Sequence, residues 1–196
     1  MWVIGNGESR SNIYIDQLQD KKVGCNAILR DFHVDHLVCV DRRMVEEALA
    51  HSVNTKGTTV YTRPDWYTRY KTLKVREVPS LPYKGNERWD EPFQWGSGPY
   101  AVLLGAKLSD EVDLLGFDLW SSTDTINNIY KDTQNYDSGD KRPVDPRYWI
   151  HQIGMVFECF PKVQFTIYQE LGWELPKAWI HPNVMVDTLS NIYYNT

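Results

Sequence analysis

The sequence predicts an α/β fold, a mostly parallel sheet with helices on both faces. Short apolar runs rich in β-branched residues alternate with stretches whose apolar residues recur at three- and four-residue spacing. One of them, His36-Leu37-Val38-Cys39-Val40, is continuous and β-branched enough for a strand covered on both faces. Several of them stop abruptly at Gly, Asn or Asp, residues that turn a chain out of a sheet.

Met1 to Ile4 reads as the first strand and breaks at Gly5-Asn6-Gly7-Glu8-Ser9. Ile13 to Leu18 is weakly helical in spacing, and Lys22 to Cys25 is a second strand ending at Asn26. His36 to Val40 is a third, ending on Asp41, and Arg42 to Ala50 follows as a helix with Met44, Val45, Ala48 and Leu49 on one stripe. Thr58 to Tyr61 and Val75 to Val78 are further strands. Pro64, Pro79, Pro82 and Pro92 argue against long helices between Thr62 and Trp95. Regular structure resumes after Gly96-Ser97-Gly98 with a helix through Leu108, then a strand Glu111 to Leu115 that ends on Gly116-Phe117-Asp118. Leu119 to Arg147 is polar and irregular. Ile150 to Phe160 is a last helix, stopped by Pro161, and Val163 to Ile167 a last strand.

A chain of 196 residues is long enough for one core at about 150 residues per domain. The expected organisation is one nucleotide-binding domain over residues 1–168, with an irregular aromatic lid formed by insertions near 62–95 and 119–147, and a tail, 169–196, packed on the domain. A net charge of −5 offers no basic field, so nucleic acid is not an expected partner. The longest apolar stretch, near Ala101 to Ala106, is too short to cross a bilayer, so no integral membrane segment or leader is expected. Three widely spaced cysteines, Cys25, Cys39 and Cys159, read as buried thiols of a cytoplasmic protein, not as a disulfide framework or a zinc cluster.

In a parallel sheet, ligands bind beyond the carboxyl ends of the strands. That rule selects the turns at Gly5 to Ser9, Asn26, Asp41, Gly96 to Gly98 and Gly116 to Asp118, which should meet on one rim. Gly5 and Gly7 free the backbone for positive φ and expose amide donors suited to a phosphate or ribose, or form a structural turn. Asn26 is a turn former or an amide reading a sugar or base. Asp41 caps the helix that follows it or binds a ribose hydroxyl or a metal. Ser97 and Gly98 open a helix whose amides attract an anion, or Ser97 is its N-cap. Asp118 is a loop carboxylate, or a base or hydroxyl reader. His151, beside the second irregular loop, is the best placed histidine for acid–base work. There is no GxSxG, HxH, CxxC or DxD, so neither a hydrolase triad nor a metal site is expected.

Ile4-Gly5-Asn6-Gly7-Glu8-Ser9, Gly24-Cys25-Asn26, Val40-Asp41, Gly96-Ser97-Gly98-Pro99-Tyr100, Leu115-Gly116-Phe117-Asp118 and Tyr130-Lys131-Asp132-Thr133, in this order, resemble the signature series of bacterial sialyltransferases of the lipooligosaccharide type. The resemblance spans residues 1–168. Similar openings occur in a wider group that includes motility accessory factors and pterin pyrophosphokinases. The resemblance implies a Rossmann-like domain that binds a CMP-sugar without a metal cofactor and transfers the sugar to a glycan or small-molecule acceptor. In it Gly5, Asn6, Gly7, Ser9, Asn26 and Asp41 line the nucleotide pocket, Ser97 and Gly98 contact ribose or phosphate, and Gly116 and Asp118 floor the site. Trp120 stands where the family carries a phosphate-binding tyrosine. Tyr130 lies on the lid over the donor phosphate, and His151 is the nearest counterpart of the catalytic histidine. The pterin pyrophosphokinase alternative would use magnesium on Asp41 and Asp118. A noncatalytic binding or assembly protein on the same scaffold, or an oligomer, is also compatible with these residues.

Overall fold

The computed structural model describes residues 1–50, 57–71, 75–82, 95–121 and 123–192. The strands are β1 (Trp2–Ile4), β2 (Lys22–Cys25), β3 (His36–Val38), β4 (Thr59–Thr62), β5 (Val75–Glu77), β6 (Glu111–Leu115), β7 (Gln164–Gln169) and β8 (Val184–Thr188). They form one eight-stranded sheet in the order β5-β4-β3-β2-β1-β6-β7-β8. Every pairing in it is parallel. The chain therefore starts in the middle of the sheet, winds out to β5, returns across β1 to β6 and winds out to the opposite edge. Strand order reverses between β1 and β6, which makes the carboxyl ends of those two strands the switch point of a Rossmann-like α/β arrangement.

Both faces of the sheet are covered, because successive side chains of a strand point to opposite sides. Val3, Val23, Val112, Leu114, Phe165 and Ile167 enter one core cluster with helices α3 (Ser97–Leu108) and α4 (Arg147–Cys159). Trp2, Ile4, Leu37, Val60 and Leu115 enter the other, with helix α1 (Arg42–Ala50) and the 3-10 turn Asn26–Arg30. Gly105 of α3 lies against Val3: a Cβ there would come within 2.6 Å of the Val3 side chain, so this glycine sets how closely the helix seats on the sheet.

Four expectations about elements are revised. Ile13 to Leu18 holds only a 3-10 turn, Ile15–Gln17, which buries Ile15 and Leu18 without propagating a helix. The third strand stops at Val38, and the Val40 amide donates instead to the Ser97 hydroxyl at 3.1 Å. The stretch expected to be an irregular lid near 62–95 begins with a helix, α2 (Pro64–Tyr70), ahead of the strand expected from Val75, which is β5; Pro64 sits in the first turn, where a missing N–H costs nothing. Residues 83–94 of that stretch lie outside the described residues. The tail does more than pack: β8 extends the sheet, Trp179 is completely buried, and the Asn183 amide donates to the carbonyls of Phe157, Phe160 and Val163 at 3.0–3.1 Å. Among the described residues no helix is long and apolar enough to cross a membrane.

The cysteines are free thiols, Cys25 and Cys39 fully buried and Cys159 partly so. Burial pushes the Cys25 thiol up from its ordinary 9.0 to about 12, and raises Cys39 for the same reason. Burial likewise raises the phenols of Tyr130 and Tyr136. The folded state thus holds these protons more tightly than the unfolded chain, so their contribution to stability is complete below pH 9.0 and is lost as pH rises toward about 12. Denaturant midpoints measured from pH 7 to 11 are expected to be level at first and then to fall above pH 9; a level profile to pH 11 would contradict it.

Candidate functional site

The turns after β1, β2, β3 and β6 and the start of α3 close around one cavity of about 290 Å³. Gly5, Asn6, Gly7, Asn26, Asp41, Ser97, Gly98, Gly116 and Asp118 all line it. Its volume is at the lower end for small-molecule sites.

The glycine turn is built by close approach and not by unusual φ. Gly7 has φ −64, and the positive-φ glycine of the pair of turns is Gly116, at +73. A Cβ on Gly5 would fall 2.3 Å from the Gly116 carbonyl oxygen, and one on Gly7 would fall 2.4 Å from the Asp118 carboxyl carbon. The turn amides are largely engaged within the protein. Gly5 donates to the Leu115 carbonyl at 2.8 Å, Gly7 to Gly116 at 2.9 Å, Glu8 to the Asn127 side chain at 2.7 Å and Ser9 to Asp118 at 2.9 Å. The expected row of exposed amide donors at Gly5 to Ser9 is therefore absent. An anion has instead the amino end of α3, where Gly96 is the N-cap and the amides of Ser97 and Gly98, in the first turn, have no acceptor within the helix. Ser97 is accordingly not the cap; its hydroxyl accepts from Val40 and joins the exit of β3 to α3.

The electrostatics are mixed. Asp41 and Asp118 bring two carboxylates, and among the described residues no Lys or Arg lines the cavity. Arg10 compensates from behind: it is 2% exposed, its Nε donates to the Gly5 carbonyl at 2.7 Å, and its charge lies in a low-dielectric core where its field is weakly screened. Asp118 accepts from the amide and hydroxyl of Ser9. Asp41 is exposed, its backbone carbonyl accepts from Val45 to open α1, and its carboxylate has no hydrogen bond among the described residues.

Two carboxamides in the wall are under-satisfied. The Asn6 amide nitrogen donates to the Cys25 carbonyl at 3.4 Å and the Tyr136 hydroxyl at 3.3 Å, whereas its Oδ1, like Oδ1 of Asn26, is buried without a partner among the described residues. An unpaired buried acceptor costs about 1–3 kcal/mol. Asn26 also takes φ +53, and Leu119, across the cavity, takes φ +68. Such left-handed non-glycine residues concentrate at ligand sites.

Four expected site residues lie elsewhere. Ser9 stands behind Asp118, outside the cavity wall. Trp120 stacks on Trp173, with ring centroids 5.7 Å apart, and faces neighbouring hollows. Tyr130 is 4% exposed in the core, where its hydroxyl accepts from Arg10 at 3.2 Å, so it is not presented to a ligand. His151 does not line the cavity: Trp149 and Ile153, four residues apart on α4, do, and a residue midway between them points away. Sequence reading missed Asn127, Asn128, Trp149 and Ile153. The i, i+4 pair on α4 was the available signal for the last two; the asparagines come from an irregular loop whose path no local pattern specifies.

That loop is irregular, as expected of 119–147, but firmly held. Ile129 donates to the Asn6 carbonyl at 2.9 Å. Arg30 forks onto Glu47 at 2.6 and 2.8 Å, donates to Thr133 and the Gln134 carbonyl at 2.7 Å, and lies over the rings of Tyr130 and Tyr136. The bidentate pair raises the Arg30 pKa further and keeps the guanidinium charged. No protein-family model, curated protein or solved structure matches this chain.

Proposed function

We propose that this protein is a glycosyltransferase-like enzyme that binds a nucleotide sugar, of the CMP-sugar class, in the switch-point cavity and passes the sugar to an acceptor hydroxyl. One observation carries the reading: the carboxyl ends of four strands and the amino end of α3 meet at a single cavity whose wall holds carboxamide oxygens without a partner among the described residues. The donor phosphate sits at the Ser97 and Gly98 amides, which stabilise the charge that builds on the departing nucleotide. Asn26 reads a ribose hydroxyl or base edge, and Phe117, Pro99 and Ile153 supply the apolar wall for a base. No metal cofactor is required.

The test is a thermal-shift and calorimetry panel of CMP, CDP, UDP, GDP and ATP, each with and without magnesium. CMP alone is expected to stabilise the fold; at one hundred times its Kd the gain is about 2.7 kcal/mol. Asn26→Gly, which keeps the left-handed backbone and removes an unpaired oxygen, is expected to leave stability within about 1 kcal/mol and to weaken CMP binding about tenfold or more. Stabilisation by ATP that depends on magnesium would replace the reading by phosphotransfer on Asp41 and Asp118. Silence toward every nucleotide would leave a noncatalytic scaffold.

A further inference from the structure

We infer that the acceptor is a carbohydrate held in a second compartment beside the first, and that Asp41, on their shared wall, is the base that takes its proton. This assignment rests on the nucleotide-sugar reading above and deepens it. The second compartment has a volume of about 430 Å³. Asn26, Asp41, Leu119, Asn127, Asn128 and Trp149 line both. A group bound in one is therefore adjacent to a group bound in the other.

The two compartments differ in chemistry. The first holds the glycine turns and the amino end of α3. The second adds Trp120, Tyr136, Asn135, Arg43 and Asp137. Indole faces suit the apolar C–H face of a pyranose, and carboxamides, a guanidinium and a carboxylate pair with its ring of hydroxyls. The Trp120 ring is held in orientation by its stack on Trp173, at an interplanar angle of 12°. A pre-set aromatic plate loses little freedom when a sugar settles on it.

Asp41 is the carboxylate common to both compartments among the described residues; Asp118 belongs to the first and Asp137 to the second. Asp118 is already tied to Ser9, whereas the Asp41 side chain makes no hydrogen bond among the described residues. In the transfer step the acceptor oxygen bonds to the anomeric carbon while the bond from that carbon to the donor phosphate oxygen breaks. The phosphate keeps the electron pair and leaves as CMP at the Ser97 and Gly98 amides. The acceptor proton passes to the Asp41 carboxylate and from there to solvent. The same placement gives the chain a base without His151, which faces away.

The experiment follows CMP release from CMP-N-acetylneuraminate with the full chain, in water alone and with added lactose, maltose or cellobiose, and measures CMP affinity in parallel. A disaccharide is expected to accelerate release saturably. Asp41→Asn should lower the saccharide-dependent rate by about 10²- to 10⁴-fold, the usual worth of a general base, while changing CMP affinity by only a few-fold. Added formate should restore part of the rate to Asp41→Ala, which a purely structural role would not allow. Trp120→Ala should raise the saccharide KM about tenfold. A wild-type protein that binds CMP but ignores every disaccharide overturns the acceptor assignment. Wild-type rates in Asp41→Asn, or loss of CMP binding in both Asp41 variants, overturn the base. Failure of the wild type to bind CMP overturns the nucleotide reading itself, so the failures are separable.

Discussion

Gly5→Ala is expected to be the most damaging single methyl group that can be added to this protein. Its Cβ would lie 2.3 Å from the Gly116 carbonyl oxygen and 3.3 Å from the Phe117 ring. The first neighbour is backbone and cannot rotate away. Gly116 is itself at φ +73, and its own Cβ position is 2.9 Å from the Gly5 carbonyl, so neither turn has room to yield. Relief requires separating the ends of β1 and β6, which breaks the bonds from the Gly5 amide to Leu115 and from the Gly7 amide to Gly116. The expected loss is about 3 kcal/mol or more, at the upper end for overpacking, out of a total of about 5–15 kcal/mol. Because the same two turns form the floor of the cavity, nucleotide binding should disappear with it. Urea denaturation read by circular dichroism checks the first part, and CMP titration the second; a variant within 1 kcal/mol of wild type would show that the turns are looser than described.

Trp179→Ala is expected to cost about 3–5 kcal/mol, the range for emptying a large buried aromatic site. Trp179 is 0% exposed, its Nε1 donates to the Ile150 carbonyl at 2.8 Å, and its ring meets Phe157 edge-on at 5.5 Å. The neighbouring backbone is just as close: a Cβ on Gly154 would fall 2.8 Å from the Ala178 carbonyl. The tail therefore fixes α4 from behind, and α4 presents Trp149 and Ile153 to the cavity. The variant should lose affinity for a cavity ligand as well as stability, though no residue altered touches the ligand. A melting temperature within 2 °C of wild type would sink the claim, since about 2–4 °C per kcal/mol is expected at this chain length.

The alternation of apolar runs and amphipathic stretches carried the α/β class, because a strand covered on both faces and a helix covered on one leave different local patterns. The rim residues were legible for a related reason: a chain that leaves its strand by way of Gly5, Asn26, Asp41 or Gly116 must turn there, and in a parallel sheet those turns lie at one end. Roles assigned by position beyond the turns were less legible. Tyr130 reads as a ligand-facing lid residue in a polar segment, yet Arg10, 120 residues earlier, draws its hydroxyl into the core. His151 reads as acid–base chemistry, yet the helical phase places its neighbours at the cavity.

Local sequence thus determines which segments become strands and helices and where the chain must bend, since those outcomes depend on side chains a few residues apart. Which bends meet, which glycines are needed for contact instead of conformation, and whether an amide or carboxylate is engaged or free depend on pairs far apart in the chain, such as Gly5 with Gly116 and Ser9 with Asp118. Those pairings exist only once the sheet is assembled, because strand order and register, not neighbouring residues, bring them within bonding distance.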